Sequence, residues 1–183
     1  MSVPGGSGRE FNYPDVGAGR EDVFPAGYRS LAMVRELGTG DRIFDAASRR
    51  LFGWQMHRAA GIRVAQGTPH PTPGLDIRLE WGIGPIRATA WCRVVDVIDE
   101  PGRRGFSYGT LTGHPESGEE TFLVERGIDG NVTARITAFS RPARWYTRLA
   151  GPLGRLVQRR ITQRYLDGIA DDQCLDGIAD DQW

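Results

Sequence analysis

Residues 75–98 read LDIRLEWGIGPIRATAWCRVVDVI and carry the pattern that decides the fold. Apolar and polar side chains alternate along 75–81, which is typical of a strand with one buried face. Glycines and a proline at 82–85 then indicate a turn, and a second alternating segment follows over 86–98. Two alternating segments joined by a short turn predict an antiparallel pair of strands.

Further strands and helices flank this pair. Apolar residues recur every three or four positions from Ile43 to Trp54, which predicts an amphipathic helix that Gly53 divides. Asp41 is a candidate N-cap for this helix, and Gly61 ends its second piece. The other alternating segments predict strands over residues 29–37, 62–65, 104–111, 119–126 and 131–139.

The C-terminal part of the chain returns to a helical period. Ser140 is a candidate cap and Pro142 suits a first helical turn, so we expect a helix over residues 142–166 with a kink near Gly151-Pro152. Together the elements predict an α+β fold, a curved antiparallel sheet of about seven strands wrapped on a long C-terminal helix, with two short helices after the first strand. This order matches the helix-grip architecture of the birch-pollen-allergen and START-like superfamily.

Several motifs are more specific than the order of elements. Residues 104–116 read RGFSYGTLTGHPE, and residues 138–142 read AFSRP. With these and shorter matching stretches, the sequence resembles the domain-of-unknown-function nineteen-ninety family, an uncharacterised protein family of bacteria and plants, over residues 11–166. The resemblance implies one compact domain and brings no agreed reaction or catalytic residues. One departure is that Gly19 follows Ala18 where the resemblance leads us to expect a threonine.

Composition and repeats divide the chain into three parts. Residues 1–28 are rich in glycine and proline but also contain aromatic residues, so we expect a leader that packs on a single domain at 29–166. The octapeptide LDGIADDQ occurs at 166–173 and again at 175–182. We interpret residues 167–183 as an acidic duplicated tail, disordered or artefactual, with an ordered extension or an acidic interaction tail as the alternative.

The charge pattern narrows the possible partners. All 23 basic residues are arginine and are balanced by 23 acidic residues, which excludes a generic polycation and predicts no specific nucleic-acid partner. Arginines concentrate along the expected helix at 141–164, which either faces solvent or makes weak contact with an anionic surface. No apolar run reaches the ~20 residues of a membrane span, and the N-terminus lacks a secretion signal. We therefore expect a cytoplasmic protein.

Metal and nucleotide chemistry have no sequence support. The two cysteines and three histidines show no metal-ligand spacing, and neither a phosphate loop nor a dinucleotide motif occurs. We therefore expect no metal and no cofactor.

The hairpin turn around His114 carries the densest set of titratable groups. In a catalytic interpretation, His114 or Glu116 moves a proton while Tyr108 or an arginine polarises a carbonyl group. The alternative is a polar hairpin end without chemistry. Glu119 and Glu120 are neighbours in a strand and should point to opposite faces of the sheet.

Aromatic and arginine side chains on the strands are candidate ligand contacts, because one face of a helix-grip sheet lines a cavity. The alternative is that the aromatic residues fill the core and the arginines face solvent. His57 and Met56 follow Trp54, and they either line a cavity entrance or are structural. We favour the structural interpretation, in which Trp54 and Met56 are ordinary core residues and His57 is a polar edge. The candidate ligand-binding residues are Trp81, Trp91, Arg93, Phe106, Tyr108, Phe122, Arg135 and Trp145.

These features predict a domain that binds a small, mainly apolar molecule in a cavity between the sheet and the C-terminal helix. The alternative is a cofactor-independent cyclase, isomerase or dehydratase that acts on a polyketide-like or other hydrophobic biosynthetic intermediate.

Overall fold

A computed structural model describes residues 8–21, 24–83, 86–143 and 151–170. The strands are β1 (Arg29–Thr39), β2 (Arg63–Val64), β3 (Asp76–Ile83), β4 (Ile86–Glu100), β5 (Arg103–Thr110), β6 (Glu116–Arg126) and β7 (Asn131–Pro142). The helices are a 3-10 turn (Ala18–Glu21), α1 (Asp41–Phe52), α2 (Gln55–Ala59) and α3 (Gly151–Ala170).

The seven strands form one antiparallel sheet in the order β1-β7-β6-β5-β4-β3-β2. The sheet is curled, and its concave face packs against the helices, so the predicted α+β helix-grip fold is confirmed. The opposite, convex face of β5–β7 is covered by the residues that precede β1. None of the described helices is long and apolar enough to span a membrane.

Helix α1 forms because its apolar residues fall on one side. Phe44, Ala47 and Leu51 are buried at three- and four-residue steps. Gly53 ends the helix, as predicted, but the predicted cap is wrong. Gly40 is the N-cap residue, no side chain caps the helix, and the Asp41 carboxylate instead pairs with Arg126 of β6.

Helix α3 crosses the concave face and contacts α2 closely. Its buried side includes Tyr165, Leu166 and Ile169. Gly168 allows the close approach, because a Cβ atom there would lie 2.5 Å from Cβ of Ala59 and 2.9 Å from Cα of Met56. The two helices therefore meet through a position with no side chain.

The structure corrects both predicted ends of the C-terminal helix. Ser140 and Pro142 do not begin it, because β7 continues to Pro142 and pairs with β6 as far as Glu116. Arg141 consequently lies on a strand, so the arginines of 141–164 do not form one helical face. At the other end α3 continues to Ala170, four residues into the segment predicted as a tail.

Candidate functional site

The register of β5 and β6 decides which polar side chains lie on the concave face. Tyr108 and Phe122 are buried there beneath the helices. Glu120, two residues before Phe122, shares their face and lies directly opposite Tyr108. Glu119 points to the convex face, where its carboxylate contacts the leader, so the two glutamates face opposite ways as predicted.

Hydrogen-bonding groups form a chain at this point. The Tyr108 hydroxyl donates a hydrogen bond of 2.9 Å to Oε2 of Glu120, and Nε2 of His57 lies 3.4 Å from the same hydroxyl oxygen. Because the Tyr108 proton is directed at Glu120, the His57 ring is the donor in its contact with Tyr108, through Nε2–H. Its Nδ1 is buried without a partner among the described residues.

Aromatic rings surround the His57 side chain. The ring centres of Tyr165, Trp54 and Phe122 lie 5.0, 5.4 and 5.8 Å from that of the histidine. His57 itself is 0% exposed. The middle of the concave face is thus packed with side chains, where the sequence-based expectation was a cavity. His57 lies inside this core and not at the polar edge that the sequence predicted.

Burial sets the protonation states of the three polar groups. It lowers the pKa of His57 from 6.5 to about 3. Burial, followed by the nearby charge of Glu120, raises the pKa of Tyr108 well above its ordinary value. The pKa of Glu120 rises from 4.5 to about 7, because burial outweighs the hydrogen bond from Tyr108. Glu120 is therefore the member that exchanges a proton near neutral pH.

Glu120 lies at the edge of the packed core. Its side chain is half-buried, as is that of Leu31 on β1. Ala138 of β7 pairs with both residues, so Leu31, Ala138, Glu120 and Tyr108 form one row across four strands of the concave face. The carboxyl group thus borders a floor of apolar side chains, and we call these four residues the concave row.

Glu116 shares the concave face, four residues before Glu120 on β6. Burial raises the pKa of Glu116, whereas a hydrogen bond with Ser140 and the charge of Arg29 lower it. The predicted pair of Tyr108 and Glu116 is therefore on one face, but the hydroxyl of Tyr108 is bonded to Glu120.

His114 lies elsewhere, in a cleft of about 470 Å³ at the end of the β5–β6 hairpin. Its Nδ1 accepts a hydrogen bond of 3.0 Å from the backbone N–H of Glu116, and burial lowers its pKa from 6.5 to about 4. The structure therefore does not bring His114 together with Tyr108. The cleft is lined by Asn12, Thr112, Gly113, His114, Ser117, Arg141, Pro142 and Ala143.

The candidate ligand contacts divide between the two faces. Phe106, Phe122 and Tyr108 are buried on the concave face, with Trp81 half-buried against the same core, and Trp145 lies outside the described residues. The arginines and the other tryptophan do not line the concave face. By strand alternation the residues on the convex face are Trp91, Arg93 and Arg135.

Arg93 has a structural partner on that convex side. Its Nε and Nη2 donate hydrogen bonds of 2.5 and 3.1 Å to the two carboxylate oxygens of Asp76, and Nη2 also donates to the backbone oxygen of Arg9. The guanidinium of Arg9 in turn lies 5.0 Å from the ring centre of Trp91. The expected contact of an inward arginine with a ligand head is replaced by contacts with the leader.

The part of the chain that the structure describes contains no group of three or more histidine, cysteine, aspartate and glutamate residues that could hold a metal ion.

Residues 12–168 match the domain of unknown function DUF1990. The chain belongs to this family. A UPF0548 protein of Deinococcus radiodurans is 33% identical to this DUF1990 protein over 167 residues, which cover 84% of this chain and 83% of the relative. A UPF0548 protein of Arabidopsis thaliana is 35% identical over 145 residues, covering 73% of this chain and 67% of the relative.

Solved structures are similar to the DUF1990 protein in fold alone. Ara h 8.0201 matches with a TM-score of 0.54 and 11% identity, over 79% of this chain and 96% of its own. A hypothetical protein from Helicobacter pylori matches with a TM-score of 0.54 and 11% identity, over 93% of this chain and 97% of its own.

Sequence reasoning named Glu120 and His57 separately but did not bring them together with Tyr108 in one polar site. The sequence does indicate the orientation of Glu120. It lies two residues before the aromatic Phe122 on the same strand, so both side chains point to one face of the sheet. His57 carried no such signal, since α2 has only five residues and its contact with Tyr108 depends on how that helix docks.

Proposed function

We propose that this DUF1990 protein binds a small, mainly apolar molecule on its concave face, with a polar group of the ligand at Glu120. The observation that carries this proposal is the half-buried carboxyl group of Glu120 beside apolar residues of the concave row. A site of this kind supplies apolar area for affinity and one polar group for orientation.

The arrangement of the concave face favours a ligand position over Leu31 and Ala138 rather than over His57. Aromatic rings occupy the space around His57, whereas Leu31 and Glu120 are both half-buried. The Tyr108 hydroxyl fixes one carboxylate oxygen of Glu120, so the carboxyl group is already oriented before a ligand arrives. Such preorganisation lowers the entropy cost of binding.

The test uses N-phenyl-1-naphthylamine, a neutral fluorescent reporter of apolar sites, titrated with the full chain. The expected result is saturable binding that Leu31→Trp weakens by roughly tenfold or more, because the larger ring occupies the site. Val34→Trp is the matched control, since Val34 lies on the opposite face of β1 and is 59% exposed. Absence of saturable binding, or equal binding by the two variants, would overturn the proposal.

A further inference from the structure

The carboxyl group of Glu120 has one hydrogen-bond donor and no cation among the described residues. Tyr108 donates to Oε2, and Oε1 has no donor from the described part of the chain. Burial of a carboxylate is costly unless a positive charge or several hydrogen bonds compensate it. The described protein supplies only one such bond.

Within the described part of the chain, the titratable groups that face Glu120 from the surrounding elements are neutral. They are Tyr108 on β5, Cys92 on β4 and Tyr165 on α3, and the charge of Glu120 raises the pKa of each of them in addition to the larger effect of burial. His57 on α2 follows behind Tyr108 and stays uncharged, since burial lowers its pKa to about 3.

The arginines on the concave side of β1 act on other carboxylates. The charge of Arg29 lowers the pKa of Glu116, and Arg35 pairs with Asp167 of α3. Neither arginine is among the causes of the pKa shift of Glu120, which for the described residues are burial and the hydrogen bond from Tyr108. When Glu120 is ionised, no cation of the described residues therefore balances the negative charge at the edge of the concave row.

We infer that the ligand of the concave face is a hydrophobic amine whose ammonium group donates a hydrogen bond to Oε1 of Glu120. This inference rests on the proposed function and names the chemical class of its ligand. The apolar part of the amine lies over Leu31 and Ala138, and the ammonium supplies the charge that the described part of the protein lacks. A charge-assisted bond of this kind is stronger than one from a neutral donor.

Ionisation of Glu120 gives the pairing a pH dependence with a defined sign. The pKa of Glu120 is about 7, whereas an alkylamine stays protonated well above that pH. Affinity for an amine should therefore rise by roughly tenfold between about pH 6 and about pH 8, as the carboxylate forms. A ligand that accepts a hydrogen bond from the protonated acid would show the opposite trend.

The experiment measures displacement of N-phenyl-1-naphthylamine by heptylamine and by heptanol, which have the same apolar chain. With the full chain at about pH 8, the amine should bind roughly tenfold or more tightly than the alcohol. Glu120→Gln should remove that preference and its pH dependence. Glu36→Gln, an exposed position on the other face of β1, should keep both.

The possible results separate the two proposals. Equal affinity for amine and alcohol at about pH 8, or tighter binding of the amine at the lower pH, would overturn the assignment of an amine while binding at the concave face stands. A preference for the amine that survives Glu120→Gln would also overturn it. Failure of the reporter and of both ligands to bind would overturn the proposed function, and the amine with it.

Discussion

Glu119 and Glu120 are consecutive residues of β6 whose carboxylates accept hydrogen bonds on opposite faces of the sheet. Glu120 accepts a hydrogen bond from Tyr108 on the concave face. Glu119, only 3% exposed, accepts bonds on the convex face from the Tyr13 hydroxyl at 2.8 Å and from the backbone N–H groups of Gly17 and Gly19 at 2.8 and 3.1 Å. One strand thus supplies both the candidate site and the anchor of the leader.

The Tyr13–Glu119 bond should contribute measurably to stability. Tyr13→Phe removes one donor to a buried carboxylate and should lower the free energy of unfolding by about 1.5 to 3 kcal/mol. Glu119→Gln should cost more, because a single amide oxygen replaces the two acceptors that bind three donors. Urea unfolding followed by circular dichroism measures both changes.

Glu36→Gln is the control for these variants, because Glu36 is exposed on β1. Its unfolding free energy should stay within about 0.5 kcal/mol of the wild type. If Tyr13→Phe were equally neutral, the leader would not be held through Glu119.

Alternation of apolar and polar residues predicts most of the strands, but it does not tell which face of a strand points into the core. On β4 the residues Cys92 and Val94 face the core, whereas Trp91 and Arg93 lie under the leader. Both faces of this strand are covered, one by helices and one by residues 9–13, so hydrophobicity alone does not distinguish them. The leader's position depends on distant contacts such as those of Glu119, which no local pattern encodes.

The end of β7 shows a second limit of local signals. Ser140 and Pro142 favour a helix start by their intrinsic chemistry. They nevertheless extend the strand, because Gly118 and Glu116 of β6 pair with them, and Pro142 stands at the strand's last position, where a missing N–H costs little. Tertiary pairing overrides the local preference here.

The stability of the protein should depend on pH through His57 in a direction set by its burial. In the unfolded chain His57 titrates near 6.5, whereas in the folded protein its pKa is about 3. Between these values the unfolded state binds an additional proton, so stability falls as the pH falls, by up to about 1.4 kcal/mol per pH unit. His57→Leu should therefore become more stable relative to the wild type as the pH is lowered from 6.5.

Glu120→Gln should show the opposite trend over an overlapping range. The folded pKa of Glu120 is about 7 and its ordinary value is 4.5, so the folded state holds the additional proton and wild-type stability falls as the pH rises through this range. Glu120→Gln should therefore become more stable relative to the wild type as the pH rises. Urea unfolding at several pH values tests both variants, and parallel curves for wild type and either variant would contradict the corresponding pKa shift.

The Arg93–Asp76 pair should act on stability and not on ligand binding. Asp76 has a side chain only 5% exposed, and Arg93 binds both of its oxygens. Arg93→Gln should lower the free energy of unfolding by about 2 to 3 kcal/mol. The loss should be smaller for Arg93→Lys, because lysine keeps the positive charge but cannot bind both carboxylate oxygens as the guanidinium does. Binding of N-phenyl-1-naphthylamine should not change, because Arg93 lies on the convex face.

Arg103→Gln is the matched control for Arg93→Gln. Arg103 also forms ion pairs with carboxylates, but its own side chain is 46% exposed. Exposed pairs of this kind contribute at most about 1 kcal/mol. A loss of reporter binding in Arg93→Gln without a loss of stability would return Arg93 to the ligand site.

Gly168 offers a test of how closely α2 and α3 cross. In an isolated helix, alanine is more favourable than glycine by about 1 kcal/mol, so Gly168→Ala would stabilise α3 if nothing faced it. The added Cβ would instead lie 2.9 Å from Cα of Met56, a backbone atom that cannot rotate away, and 2.5 Å from Cβ of Ala59. We expect the clash to dominate and the variant to lose about 1 to 3 kcal/mol.

The double variant Gly168→Ala with Ala59→Gly separates the two opposing effects. Removing the Ala59 Cβ relieves one of the two close contacts, so the pair should show a favourable coupling of about 0.5 kcal/mol or more in a double-mutant cycle. It should not reach wild-type stability, because the contact with Met56 remains and glycine weakens α2. A Gly168→Ala variant more stable than the wild type would mean that the helices lie farther apart, and the packing of Tyr165 of α3 against His57 of α2 would then be looser than the 5.0 Å between their ring centres indicates.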